Sequence, residues 1–179
     1  MLTLATAVQN GPWNLPARVR AEALQQEARG HAMINGDMDA ARGKLDEARE
    51  LLATDSNDGH DDRTAELAAH YDRSLLAMQT AICHHEAAQP DRAVAIYQEM
   101  LKPSVFSSRD HAYFLSLMGL ALAATGRPDE AARAGLSALP VAIAATSLRT
   151  VRELHRLRRE VTPWIDRPTV REFCEAVPG

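Results

Sequence analysis

The chain has 179 residues, 46% of them hydrophobic and 25% charged, enough apolar side chain for one folded unit of ordinary domain size. A formal charge of -4 at pH 7 gives no global reason to expect a nucleic-acid or membrane partner, and eight aromatic residues against abundant alanine argue against a sheet-rich fold. Cys83 and Cys174 are the only cysteines, too few for a disulfide framework and in no paired metal spacing, so a reducing, cytoplasmic compartment is expected.

Met1 to Val8 is apolar but lacks a basic leader, and Gln9-Asn10-Gly11-Pro12 stops it well short of a membrane span. It reads as the tail of an interrupted helical repeat, so a longer natural protein is expected. From Pro16 to Ile34, Ala17, Val19, Ala21, Leu24, Ala28 and Ala32 recur at helical spacing, and Gly36 stops the run. Asp37 is placed to cap a partner helix whose apolar face is Ala40, Ala41, Leu45, Ala48, Leu51 and Leu52. These two helices make a first hairpin over residues 16–53.

The polar, acidic stretch Thr54 to Asp62 reads as a solvated loop. A second hairpin follows over 63–102, one helix from about Arg63 to Glu86 and another from Pro90, where a missing N–H costs nothing. A third occupies 108–140: Ser107 or Ser108 caps it, its second helix starts at Pro128, and Pro140 is expected to end or kink that helix. Capping helices are expected over 147–161, begun by Thr146-Ser147, and over 168–176, opened by Pro168. The fold class is therefore all-α.

One phrase recurs at the hairpin turns: Gly36-Asp37-Met38-Asp39-Ala40-Ala41, Gln89-Pro90-Asp91-Arg92-Ala93 and Gly126-Arg127-Pro128-Asp129-Glu130-Ala131. In the third hairpin Leu115, Met118, Gly119 and Leu122, with Ala131 and Ala138, resemble a tetratricopeptide repeat. Gly119 and Ala131 would lie where the paired helices cross, a contact that needs small residues. The second hairpin repeats the pattern with Ala81, His84, Ala93 and Tyr97, with Met100 in place of a small residue. The first keeps Ala41, Leu45 and Ala48. Turn separations of about 52 and 38 residues exceed the repeat's 34, so the copies are degenerate members of a TPR-like α-solenoid.

The stretch from Pro16 to Val177 also resembles the C-terminal repeat region of bacterial helix-turn-helix transcriptional regulators, through Arg18–Gly30, His70–Ala81 and Leu148–Arg159. In those regulators a phage-repressor-type DNA-binding domain precedes the repeats, and none lies within these residues. The resemblance thus implies the sensing or interaction part of a regulator, non-catalytic, with no direct nucleic-acid binding and no cofactor. In such repeats ligands lie in the groove formed by the first helices of successive hairpins. The matching positions are Gln26 and Met33, then Met78, Ile82 and His85, then Tyr113, Ser116 and Leu120. Met78 and Ile82 stand where a carboxylate-clamping repeat needs Lys and Asn, so a protein, an apolar peptide or a small apolar ligand is the expected partner. The competing reading is that these residues simply contact neighbouring helices.

Other motifs read more plainly. Cys83-His84-His85-Glu86 suggests a metal, yet consecutive residues point around a helix and cannot grip one ion, and Gln89 stands one turn beyond His85 where HExxH needs its second imidazole. Placing Gly59 as the glycine of a calcium loop puts Thr54 first and Ala65 last, where carboxylates belong. Asp110-His111 has no nucleophile elbow to serve. Arg149, Arg152, Arg156 and Arg159 share one stripe of an amphipathic helix, opposite Val151, Leu154, Leu157 and Val161, and read as a solvated face. A self-association module, a homodimer through an exposed hairpin edge, is the rival function, followed by a hydrolase built on His84, His85 and Glu86.

Overall fold

In a computed structural model of the chain, residues 2–12, 15–54, 70–102 and 104–177 are described, and every regular element among them is helical. The helices are α1 (Leu2–Asn10), α2 (Ala17–Asn35), α3 (Met38–Thr54), α4 (Arg73–Glu86), α5 (Pro90–Met100), α6 (Ser108–Ala124), α7 (Pro128–Ala144), α8 (Leu148–Val161) and α9 (Pro168–Ala176). A short 3₁₀ turn, Thr162–Trp164, follows α8. The acidic stretch from Asp55 and the expected helix start at Arg63 lie outside the described residues, but residues 70–72 are not helical and the helix expected to run from Arg63 to Glu86 begins at Arg73, because the extended Asp72 caps it. The chain divides into two compact units, residues 1–89 and 90–179.

In the first unit α2 packs against α1, α3 and α4, and α3 also meets α4. Ala21, Leu24, Ala28 and Ala32 line the buried side of α2. Ala41, Leu45, Ala48 and Leu52 do the same on α3, and Tyr71, Leu76 and Cys83 complete the cluster. The three- and four-residue spacing that predicts these helices also selects their buried faces. Asp37 caps α3 by accepting from Ala40 N–H at 3.0 Å, and Asp72 caps α4 by accepting from Leu75 N–H at 2.8 Å.

In the second unit α6 packs against α5, α7 and α8, while α7 also meets α8 and α9. Ser107 is the residue that caps α6, accepting from Asp110 N–H at 3.1 Å. A methyl added at Gly119 would lie 2.7 Å from Leu157 Cδ2 and 3.2 Å from the Ala131 carbonyl oxygen. The missing side chain is what lets α6 approach both α7 and α8. A second such glycine, Gly135, has the Phe173 ring against it, with Cε2 only 2.4 Å from where a Cβ would stand.

One turn geometry recurs. Four helices are followed by a residue with positive φ, and in each case the next helix starts two residues later: Gly36 (64°) before Met38, Ala88 (56°) before Pro90, Gly126 (75°) before Pro128 and Thr146 (48°) before Leu148. At the last three the same pair of hydrogen bonds closes the helix. Ala88, Gly126 and Thr146 donate to the carbonyls of His85, Ala123 and Ile143, and Gln89, Arg127 and Ser147 donate to those of His84, Leu122 and Ala142. That pair satisfies the carbonyls a helix end would otherwise orphan. Thr146 is thus the left-handed residue of a fourth turn rather than a cap. Ser147 holds the N-cap position, but its hydroxyl pairs with Thr150 Oγ1 at 2.9 Å.

Pro140 does not end α7, which continues to Ala144. Proline removes one backbone donor, from the bond to Leu136 O, and its ring is on the exposed side, where water can serve that carbonyl.

Candidate functional site

The residues expected to line a groove separate sharply by burial. In the first unit Gln26 is half-buried and Met33 is 51% exposed near the end of α2, next to the exposed Ile34. On α4, Met78 and Ile82 are buried and His85 is half-buried. Most of the circumference of α4 is enclosed, with Leu76, Ala81, Cys83 and His84 buried as well, so Met78 and Ile82 offer no open surface.

In the second unit Ser116 and Leu120 are buried, because α6 is covered by three helices. The Ser116 hydroxyl donates back to the Tyr113 carbonyl at 2.6 Å, which leaves it satisfied inside its own helix. Tyr113 is half-buried, and the Arg149 guanidinium lies 3.7 Å above its ring while reaching Asp110 Oδ1 at 3.2 Å. The open member of the expected set is therefore Met33, with Gln26, His85 and Tyr113 half-buried.

Sequence reasoning missed a polar seam in the first unit. Glu27 is buried on α2, where its carboxylate accepts from Thr6 Oγ1 at 3.1 Å and Gln9 Nε2 at 2.8 Å and faces Lys44 Nζ at 3.4 Å, joining α1, α2 and α3. Arg29 pairs with Glu86 of α4 at 3.1 Å. Buried in the same unit, Gln25 Nε2 and Tyr71 Oη have no hydrogen-bond partner among the described residues. Burial raises the Tyr71 hydroxyl well above its usual range, reinforced by Glu22 and Cys83, so it stays an O–H. The available signal was charge inside an apolar stripe: Glu22, Gln25, Glu27 and Arg29 interrupt Ala21, Leu24 and Ala28.

The chemistry-bearing motifs make local contacts. Burial pushes the Cys83 thiol up to about 12, against the pull of Arg29, so it is protonated at neutral pH and not an activated nucleophile. His84 Nδ1 pairs with Gln89 Oε1 at 3.0 Å, tying the last turn of α4 to the turn that follows. Asp110 accepts from Ser107 Oγ at 2.7 Å and from Arg149, while burial lowers the pKa of His111. Among the described residues no group of three or more His, Cys, Asp or Glu converges to hold a metal ion. No described helix is long and apolar enough to cross a membrane. Comparison with known proteins finds no matching family model, no matching curated protein and no matching solved structure.

Proposed function

We propose that the chain is a non-catalytic, tetratricopeptide-like domain that recognises a peptide, a protein or a small apolar ligand as the sensing or interaction part of a bacterial transcriptional regulator. The supporting observation is the repeated helix-ending turn at Gly36, Ala88, Gly126 and Thr146, which sets the same two-residue step into the following helix four times. In the first unit the exposed large apolar side chains are Met33 and Ile34 near the end of α2, and half-buried Gln26 lies two turns before Met33 on the same face as Arg29, which pairs with Glu86. Such a surface suits an apolar side chain flanked by hydrogen-bonding groups, and methionine adapts to what it meets. The ligand acts by favouring one arrangement of the helices over another.

Selection of peptides from a random display library on the full chain tests this. Enriched peptides should carry an apolar anchor, raise the melting temperature without added metal, and lose about tenfold in affinity to the Gln26→Ala/Met33→Ala variant, the loss of roughly one anchor contact. A selection that enriches nothing, or binding unchanged in that variant, overturns the reading.

The exposed Met33 and Ile34 also favour a second reading, self-association through the end of α2. Light scattering across a concentration series decides it, and a strict monomer at the highest concentration removes it.

A further inference from the structure

Three irregularities coincide at the α7–α8 turn. Leu148 and Ile143 are 78% and 60% exposed. Thr146 between them holds a left-handed conformation at 48°, where Gly36 and Gly126 serve in the corresponding turns. Beyond the turn, the outermost face of α8 carries arginine. Thr150, Leu154, Leu157 and Val161 are the buried side, and opposite them stand Leu148, Arg152 and Arg159, all exposed, with the half-buried His155 between the two arginines. Neither Arg152 nor Arg159 has an ion-pair or hydrogen-bond partner among the described residues. The other guanidiniums are engaged: Arg149 with Asp110 and Tyr113, Arg156 with Glu153 at 3.8 Å, and Arg158 with the Val177 carbonyl at 3.2 Å. Glu153 and Glu160 lie on the flank, away from the centre of the stripe.

We propose that this stripe docks an acidic amphipathic helix of another protein, with an apolar residue of that helix seated on Leu148 and Ile143 and carboxylates a heptad apart meeting Arg152 and Arg159. Those arginines are separated by about 10 Å along the axis, a spacing that a second helix laid alongside repeats with every heptad. The apolar end selects a protein over a phosphate backbone, since a phosphodiester strand gains nothing from an exposed Leu and Ile. The chain's net charge of -4 also disfavours a long polyanion, while a short acidic helix feels mainly the local cations. Leu148 precedes Arg152 by one turn on the same face of α8, and Ile143 lies at the end of α7 just before the turn that leads into it. This surface is separate from the Gln26–Met33 patch, and the two stand or fall independently.

The test uses the full chain and a synthetic, labelled amphipathic helix of about 20 residues, long enough to hold helical form, with Leu at one end and Glu at heptad spacing. Its companion has Gln in place of Glu. Fluorescence anisotropy should show binding of the Glu peptide that weakens with salt, falls at least about tenfold in Arg152→Glu/Arg159→Glu, and falls about fivefold in Ile143→Ser/Leu148→Ser. The Gln26→Ala/Met33→Ala variant should bind it as the native chain does. All four positions are exposed, so unchanged circular dichroism and melting temperature will establish that the variants are folded. Absence of binding, equal binding of the Gln peptide, unchanged affinity in the double arginine variant, or tighter binding of a DNA duplex than of the peptide each overturns the proposal.

Discussion

The two units close their helices together by different means. In residues 1–89 the contacts of α2 include a polar seam, with Glu27 reaching two neighbouring helices and Arg29 a third, while buried Gln25 Nε2 and Tyr71 Oη find no partner among the described residues. In residues 90–179 close approach rests on absent side chains, at Gly119 against Leu157 and Ala131 and at Gly135 against Phe173. Polar seams need every partner present, and small-residue contacts need only that nothing be added. The first unit should therefore be sensitive to deletion and the second to insertion. Cys83 and Cys174, both buried, place one thiol in each unit, so labelling by a thiol reagent reports the opening of each separately.

The largest expected effect is from Gly135→Ala. The new methyl would meet three atoms of a fully buried phenyl ring, at 2.4, 2.8 and 2.9 Å. Helix propensity returns roughly 1 kcal/mol, but overpacking costs more, and the net loss should be about 2 kcal/mol by urea denaturation. Cys174 should become labelled earlier while Cys83 is unaffected. Gly43→Ala is the control, because a methyl there meets nothing within 4 Å and should stabilise by about 1 kcal/mol. If both substitutions act with the same sign, the second unit is not closed by its glycines.

Deletion in the first unit comes next. Glu27→Ala removes the acceptor shared by Thr6 and Gln9 and the counter-charge of Lys44. A loss of about 1.5 kcal/mol is expected, less than for a fully buried pair because Lys44 is about one-third exposed. Here Cys83 should be the thiol that opens earlier. No change in its labelling would remove the seam as a source of stability.

How much of this was visible in the sequence depends on what each residue advertises. Local signals carried most of the helices, a cap at Ser107 or Ser108 and the Gly119–Ala131 contact, because the helical period and the demands of a cap are local properties, and the structure selects Ser107. Thr146 was opaque: a threonine gives no sign of a positive φ, and only the hydrogen bonds to Ile143 and Ala142 reveal the turn. Pro140 was expected to end or kink its helix, and the helix runs past it to Ala144 because the ring is on the exposed side. Among the expected groove residues, Met33 is open and Gln26 half-buried while Met78, Ile82, Ser116 and Leu120 are buried, since a helix pattern says which faces are apolar but not what will cover them.

Thr146→Gly should stabilise by about 0.5 kcal/mol. Relief of the left-handed conformation is worth roughly 1 kcal/mol, and the greater freedom of glycine in the unfolded chain takes back part of it. Ala88→Gly at the matching turn should behave alike, so the pair compares one turn geometry in both units. A loss of stability at either position would mean that the side chain does more than its backbone costs.

The smallest effect expected is also the most diagnostic for the seam. Tyr71→Phe deletes one oxygen from a buried ring whose hydroxyl has no partner and, with its pKa raised by burial, Glu22 and Cys83, remains protonated. A paired hydroxyl would contribute about 1 kcal/mol, which its removal forfeits, whereas an unpaired one carries only its desolvation penalty, which its removal returns. The variant should thus be unchanged or more stable by up to about 1 kcal/mol, with Cys83 labelled no faster. A loss of that size would instead show that an ordered water serves Tyr71. Gln25→Leu puts the same question to the buried amide, where a loss of stability would mean that it too has a partner. Gain at Tyr71 with loss at Gln25 separates the two, leaving the amide alone as the group that needs a partner.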